Sequence, residues 1–284
     1  MKKINFIILL LFSSINIFSQ TALEIIEKSD AKLRGESSYS EMTITIVRPK
    51  WQKTMTMKSW SEGTDYSVSL VTSPAKEKGS VFLKRKNEVW NYLPSLERTI
   101  KLPPSMMTQS FMGTDLTNDD LVKQSSMVVD YSHKILKEET VEGLNCWKLE
   151  LLPNEEATVV WGKLIIWIDK SDYMQLKVEF YDEDEELVNL MNGYNFKMFG
   201  NKKLPSKIEF IPLEDEGNKT VIEYNSWEFN QEIPSNYFTR EELCKIYNIK
   251  LSNENLVFFN DYKNLKKIIS INDNNLHINY DFIS

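Results

Sequence analysis

Apolar and polar residues alternate in short segments along most of the chain, and this pattern limits the possible folds most strongly. The segment EMTITIV sets Met42, Ile44 and Ile46 against two threonines, and KTMTMKSW repeats the pattern with Met55 and Met57. Such segments are rich in β-branched and aromatic residues and end at Pro, Gly or Asn, which is typical of strands. Turn signals recur about every ten residues, which favours antiparallel neighbours joined by hairpins. The pattern predicts a mainly β (α+β) domain of about eleven strands.

A helical pattern precedes these strands, in the segment TALEIIEKSDAKLRG. Thr21 and Glu24 have the spacing of a capping box, in which each residue satisfies a backbone N–H of the other. Ile25 and Ile26 belong to an apolar set at helical spacing, and Gly35 ends the pattern. The sequence therefore predicts one amphipathic helix that packs on the sheet.

The chain divides into three regions by composition. Residues 1–20 have two lysines before a short apolar run, which predicts a secretory signal peptide rather than a membrane span. No cysteine lies near the cleavage region, so we expect an exported, soluble protein without a lipid anchor. Residues 21–243 are expected to form one domain. Residues 244–284 are rich in Asn and are expected to be extra strands, a partly ordered tail, or residues translated beyond the natural end.

Charge and residue usage argue against several classes of function. The net charge of −7 and the lack of a basic run argue against nucleic acid as a partner, because neutralising phosphates requires clustered Lys and Arg. The acidic run 182–187 lacks the glycine and spacing of a calcium loop, which favours a solvated turn. His133 is isolated in a strand segment, which favours a structural role. We predict no catalytic residue, no metal site and no cofactor.

The chain contains two cysteines, Cys146 and Cys244. Export makes a disulfide between them chemically possible, but two cysteines do not form a disulfide framework. Two separate buried thiols are the slightly favoured alternative.

The segment 103–122, PPSMMTQSFMGTDLTNDDLV, is rich in large apolar residues, but its prolines and glycine are typical of a loop. Thr117 and Asp120 near its end predict the start of a short helix, through a capping box with Asp in place of Glu. The paired acids Asp119 and Asp120 therefore favour capping over catalysis. The segment is either a movable cover or a plug of the core, and its large apolar side chains are Met106, Met107, Phe111 and Met112.

One face of the predicted sheet is expected to be apolar and rich in methionine, a residue that adapts to irregular partners. Because a twisted sheet of about eleven strands tends to curl, a helix and a loop across it can enclose an apolar cavity. An ordinary core is the alternative. The strand residues assigned to this face are Met42, Ile44, Met55, Met57, Val68, Leu70, Trp90 and Tyr92.

The run from SPAKEKGSVFLKRKNEVWNYLPSLERTIKLPPSMM through TQSFMGTDLTNDDLVKQSS resembles the outer-membrane lipoprotein-sorting, LolA-like family. It is most similar to the branch often encoded beside lipid-exporting permeases of the resistance-nodulation-division (RND) type. The resemblance covers residues 21–243, and the tail after Cys244 departs from it. It implies an unclosed antiparallel β-barrel with a helical lid over an apolar cavity, located in the periplasm.

The resemblance also implies a carrier for lipid or lipid-modified cargo. The lid residues and the eight strand residues would then contact acyl chains, and Arg98 would hydrogen-bond lid carbonyls or a lipid head group, unless it is a solvated strand residue. The implied partners are an inner-membrane permease or transporter and an outer-membrane acceptor, with the carrier a monomer. Three alternatives are a lipid or lipoprotein sensor of the same fold, an envelope-lipid hydrolase and a purely structural β-protein.

Overall fold

The computed structural model describes residues 20–123 and 126–238. The predicted signal peptide, apart from Gln20, lies outside the described residues, as do Cys244 and the Asn-rich tail. The predicted domain boundaries therefore stay predictions. The last described residues form the short 3-10 helix Ser235–Phe238.

The described strands form one antiparallel sheet of thirteen strands. The strands, β1 to β13 in chain order, are Ser37–Arg48, Trp51–Glu62, Tyr66–Ser73, Val81–Arg85, Glu88–Leu93, Arg98–Leu102, Tyr131–Val141, Leu144–Pro153, Lys163–Asp169, Gln175–Tyr181, Leu187–Phe199, Lys202–Pro212 and Lys219–Phe229. The first strand pairs with the last, and the chain extends from this pair by hairpins to β6 on one side and β7 on the other.

The two end strands, β6 and β7, do not pair with each other, so the barrel is unclosed and the predicted fold class is confirmed. The observed sheet has more strands than the predicted number of about eleven. One strand without a clear alternating pattern is β6, between a turn and two prolines. It is a short edge strand with mostly exposed residues, so its alternation is weak.

The predicted helix is present as α1 (Ala22–Arg34), and its capping box is confirmed. The Glu24 amide donates to Thr21 Oγ1 at 3.2 Å, and the Thr21 amide donates to Glu24 Oε2 at 2.9 Å. Ile25 and Ile26 are buried in the main core, where α1 packs on the concave face of the sheet. Gly35 ends the helix at a φ of 66°, a conformation that residues with a Cβ rarely adopt.

The concave face of β1 and β2 is apolar, as predicted. Met42 lies opposite Met57, and Ile44 lies opposite Met55. Directly opposed residues of an antiparallel pair point to the same face of the sheet. All four side chains are buried in the main core cluster, so their assignment to one face is confirmed.

The same assignment is wrong for the predicted residues of β3 and β5. Val68 lies opposite Trp60, and Leu70 lies opposite Lys58, so both point away from the face of Met57. Trp90 and Tyr92 pair with residues of β4 on this same outer face.

The outer face is buried there as well as the concave one. Val68, Leu70 and Tyr92 pack in a second cluster that includes Phe238, near the end of the described chain. The concave positions of β3 include Ser67 and Ser69, so hydropathy alone favoured the wrong face.

Candidate functional site

A cavity of about 280 Å³ lies between the concave face, α1 and the C-terminal end of the 103–122 segment. Its wall has two parts of different character. The apolar part comes from β1 and from strands on the far side of β13, and it includes Met42, Leu164, Phe180, Met191, Ile208 and Phe210. The polar part comes from the neighbouring ends of β1, β2 and β3, and it includes Ser38, Ser40, Ser59, Ser61 and Ser67.

Of the predicted strand residues, Met42 lines this cavity directly. Ile44, Met55 and Met57 belong to the same core cluster, beside the apolar side chains of the 103–122 segment. The four residues on the outer face do not contribute to it. The Met-rich surface of β1 and β2 is thus continuous with the cavity wall.

The 103–122 segment, which we call the lid, is docked on the concave face. Phe111 is fully buried, and its ring centroid lies 4.7 Å from that of Phe82. Met107 is also buried, whereas Met106 and Met112 are half-buried against the same cluster. The four predicted lid side chains therefore converge on the core that borders the cavity.

The lid folds back on itself and holds its shape through its own backbone. The Phe111 amide donates to the Leu116 carbonyl at 2.8 Å, and the Asn118 amide donates to the Gln109 carbonyl at 2.9 Å. These bonds join the two arms of the lid rather than the lid and the sheet. Such a segment moves as a unit if its side chains leave the core.

The predicted capping box at the end of the lid is confirmed. The Thr117 amide donates to Asp120 Oδ2 at 2.8 Å, and the Asp120 amide donates to Thr117 Oγ1 at 3.1 Å. The helix that follows is one short π-helical turn, Asp119–Lys123. Asp120 also accepts a hydrogen bond of 2.9 Å from Trp161 Nε1, which ties the lid end to the cavity wall.

Arg48 at the end of β1 anchors the tip of the lid. Its guanidinium forms two contacts with Asp115, Nη1 to Oδ2 at 3.0 Å and Nη2 to Oδ1 at 2.9 Å. Nη2 also donates to the Gly113 carbonyl at 3.1 Å. Thr220 of β13 donates to Asp115 Oδ2 at 2.6 Å and accepts from the Asp115 amide at 2.9 Å. We call Arg48, Asp115 and Thr220 the latch.

The predicted contact between Arg98 and the lid carbonyls is not present. Arg98 is exposed at the start of β6, opposite Leu93. The guanidinium that reaches a lid carbonyl is that of Arg48, which is distant from the lid in sequence. Its position at the end of an alternating strand, before Pro49, carries no signal that marks it as a latch.

His133 contacts a neighbouring loop, and the acidic run lies in a turn. His133 Nε2 lies 2.6 Å from the Met127 carbonyl, a contact that holds the ring against the loop before β7. Residues 182–187 form the exposed turn between β10 and β11, where Asp182 accepts from the Asp184 and Glu186 amides. Within residues 20–123 and 126–238, no group of three His, Cys, Asp or Glu is placed to hold a metal ion. Cys146 is buried in β8.

Asp120 is a carboxylate of the cavity wall with a shifted pKa. Burial raises its pKa, although the hydrogen bonds from Trp161 and Thr117 act in the opposite direction. Burial also raises the pKa of Tyr131, and the nearby charges of Asp119 and Asp120 add to that shift. The lid end therefore brings negative charge into the cavity wall at a free-energy cost.

We expect Asp120→Asn to become more stable relative to the wild type as pH rises from about 4 to about 7. The folded-state pKa of Asp120 lies above its unfolded value, so its ionisation costs stability as pH rises through the folded pKa. The side-chain amide introduced by the substitution does not ionise, so the variant does not lose stability in this way. Urea denaturation at several pH values measures the difference, with Glu155→Gln on an exposed loop as the control. A difference between Asp120→Asn and wild type that is constant with pH would contradict the prediction.

Comparison with solved structures shows the same architecture. A DUF1329 family protein from Desulfovibrio piger is similar with a TM-score of 0.72 at 23% identity, over 78% of this chain and 97% of that chain. A LolA superfamily protein from Nitrosomonas europaea is similar with a TM-score of 0.68 at 23% identity, over 79% of this chain and all of the other. The protein therefore has the LolA-like fold, a single unclosed antiparallel sheet with few helices.

The sequence itself matches a family model. A family model with the description "Uncharacterized protein" matches residues 63–245. The chain therefore belongs to this family. The resemblance to LolA-like proteins that the sequence suggested is confirmed at the level of the fold. No curated protein matches the chain in sequence. In the described part of the chain, none of the helices has the length and apolar character needed to cross a membrane.

Proposed function

We propose that this protein is a periplasmic carrier that holds the acyl chains of a lipid or lipoprotein in its concave cavity. The observation that supports the proposal is a docked lid whose side chains, Met107 and Phe111, fill the same core that borders the cavity. A segment that holds its own shape and inserts apolar side chains beside a cavity can exchange those side chains for a ligand's chains.

The size of the cavity favours this exchange. Binding pockets for small molecules are typically about 300–1,000 Å³, and with the lid docked this cavity has about 280 Å³. A ligand with two acyl chains therefore requires more space than the docked lid leaves. Withdrawal of Phe111 and Met107 exposes Phe82 and the methionines of β1 and β2, in a core cluster that reaches the cavity wall at Met42.

Apolar burial supplies enough free energy for such binding without catalysis. Each buried methylene contributes roughly 0.8 kcal/mol, so two long chains offset the loss of the lid's own contacts. Transfer then depends on a membrane partner that binds the same chains more tightly. We propose an inner-membrane permease or transporter as the donor and an outer-membrane protein as the acceptor, with the carrier acting as a monomer.

Native mass spectrometry of the protein purified from the periplasm without detergent tests the proposal. We expect the wild type to retain an acylated molecule, identified after lipid extraction. The double variant Met107→Asp, Phe111→Asp is expected to lose it, because carboxylates at the lid cannot cover apolar chains. Met198→Asp, at an exposed methionine of β11, is the matched control and is expected to retain the ligand.

Two checks complete the test. Near-ultraviolet circular dichroism shows whether the double variant is folded. If it is not, Met106→Asp at a half-buried lid position replaces it. A wild type that is empty, and that also takes up no added lipid or lipopeptide, would mean that the lid side chains simply complete a core.

A further inference from the structure

The polar part of the cavity wall is a cluster of hydroxyl groups on the concave face. Ser38 and Ser61 are opposed across β1 and β2, with their Oγ atoms 2.8 Å apart. Ser59 and Ser69 are opposed across β2 and β3, with their Oγ atoms 3.0 Å apart. These positions continue the same face as Met55 and Met57, so the face changes from apolar to polar along each strand.

Two buried polar atoms at this cavity have no hydrogen-bond partner among the described residues. One is the hydroxyl of Ser29, on the face of α1 that meets the sheet, and its residue is only 3% exposed. The other is the indole N–H of Trp227, which lies opposite Ser40. Both residues line the cavity. Buried polar atoms are nearly always paired, so two orphans at one cavity indicate a group that enters it.

The chemistry of these two atoms defines what that group must be. An indole nitrogen only donates a hydrogen bond, so its partner must be an acceptor. The hydroxyl of Ser29 can donate to an acceptor as well. The wall also contains Asp30, Asp119 and Asp120, and its one guanidinium, Arg34, is bonded to Asp30 at 2.7 Å. This charge disfavours an anionic group such as phosphate, and it favours a neutral acceptor.

We propose that Trp227 Nε1 and Ser29 Oγ bind carbonyl oxygens of ester- or amide-linked acyl chains. The proposal rests on the proposed function and specifies its ligand class. The hydrocarbon part of the chain lies along Met42 and the apolar wall, and the linkage lies at the serine cluster. The site therefore recognises the junction between chain and head group, whereas a hydrocarbon alone leaves both donors unpaired.

A pair of neutral lipids of equal chain length tests the inference: dipalmitoyl glycerol, with two ester carbonyls, and dihexadecyl glycerol, its ether analogue without carbonyls. We expect the wild type to bind the ester about tenfold more tightly, the effect of roughly one hydrogen bond to a buried donor. Trp227 stacks on Tyr224 at 4.2 Å, and Trp227→Phe keeps an aromatic ring there but removes the donor, so the preference should fall severalfold. Ser29→Ala is expected to reduce it as well.

Trp60→Phe is the matched control, because Trp60 packs with the outer-face cluster and its substitution should leave the preference unchanged. Equal binding of the two lipids by the wild type would overturn this inference and leave the carrier proposal standing. An unchanged preference in both Trp227→Phe and Ser29→Ala would also overturn it. Failure of the wild type to bind either lipid would also overturn the inference, whereas the carrier proposal is decided separately by the native mass spectrometry described above.

Discussion

Phe111→Ala lowers the free energy of unfolding of the ligand-free protein by about 3–5 kcal/mol, the cost typical of truncating a buried phenylalanine. Phe111 is fully buried and in contact with Phe82, so its removal leaves a cavity as well as losing apolar contact. Urea denaturation followed by tryptophan fluorescence measures the change. The effect is large because a single lid side chain completes the core.

The control for this substitution is Leu96→Ala, at an exposed position in the turn before β6. Its effect should remain within about 0.5 kcal/mol, as for most surface changes. A loss below about 1 kcal/mol in Phe111→Ala would mean that the ring is not docked in solution. The lid would then be open at rest, and the free protein would expose the cavity.

Asp115→Ala is expected to cost about 3 kcal/mol and to release the lid from the sheet. The substitution leaves the largely buried guanidinium of Arg48 without its carboxylate, and breaking a buried pair on one side is strongly destabilising. It also removes the acceptor for the Thr220 hydroxyl. Because the latch joins the lid to β1 and β13, the loss should appear first as lid opening.

Hydrogen exchange measures this effect by residue. We expect the backbone amide at position 115, which donates to Thr220 Oγ1 and so joins the lid to β13, to exchange about a hundredfold faster in Asp115→Ala, while the amides of β1 keep their rates. Arg98→Ala is the matched control, since Arg98 is exposed and distant from the latch. Unchanged lid exchange in Asp115→Ala, or an equal effect in Arg98→Ala, would contradict the role of the latch.

Much of the concave face could be predicted from the sequence. Met42, Ile44, Met55 and Met57 alternate with threonines on β1 and β2, so only one face of these strands can be apolar. The lid residues were identified for a similar reason, because methionines and a phenylalanine in a loop-like segment require a partner surface. Both sets are found in one core cluster.

The faces of β3 to β5 could not be predicted in this way. The apolar residues Val68, Leu70 and Tyr92 point outward, where the chain near Phe238 covers them. Their concave neighbours include serines, which look like solvent-facing residues in a sequence. A sheet that is buried on both faces gives alternation without indicating which side faces the cavity.

The sequence by itself determined most of the secondary structure and the apolar character of the 103–122 segment, because strand alternation, helix capping and turn residues act over a few neighbours. Only the tertiary structure decided which arginine holds the lid and which polar atoms face the cavity. Arg98 is near the lid in the chain, but Arg48 meets Asp115 across 67 positions, because the pairing of β1 with β13 places it there. Trp227 and Ser29 likewise meet at one cavity only after the sheet curls around α1.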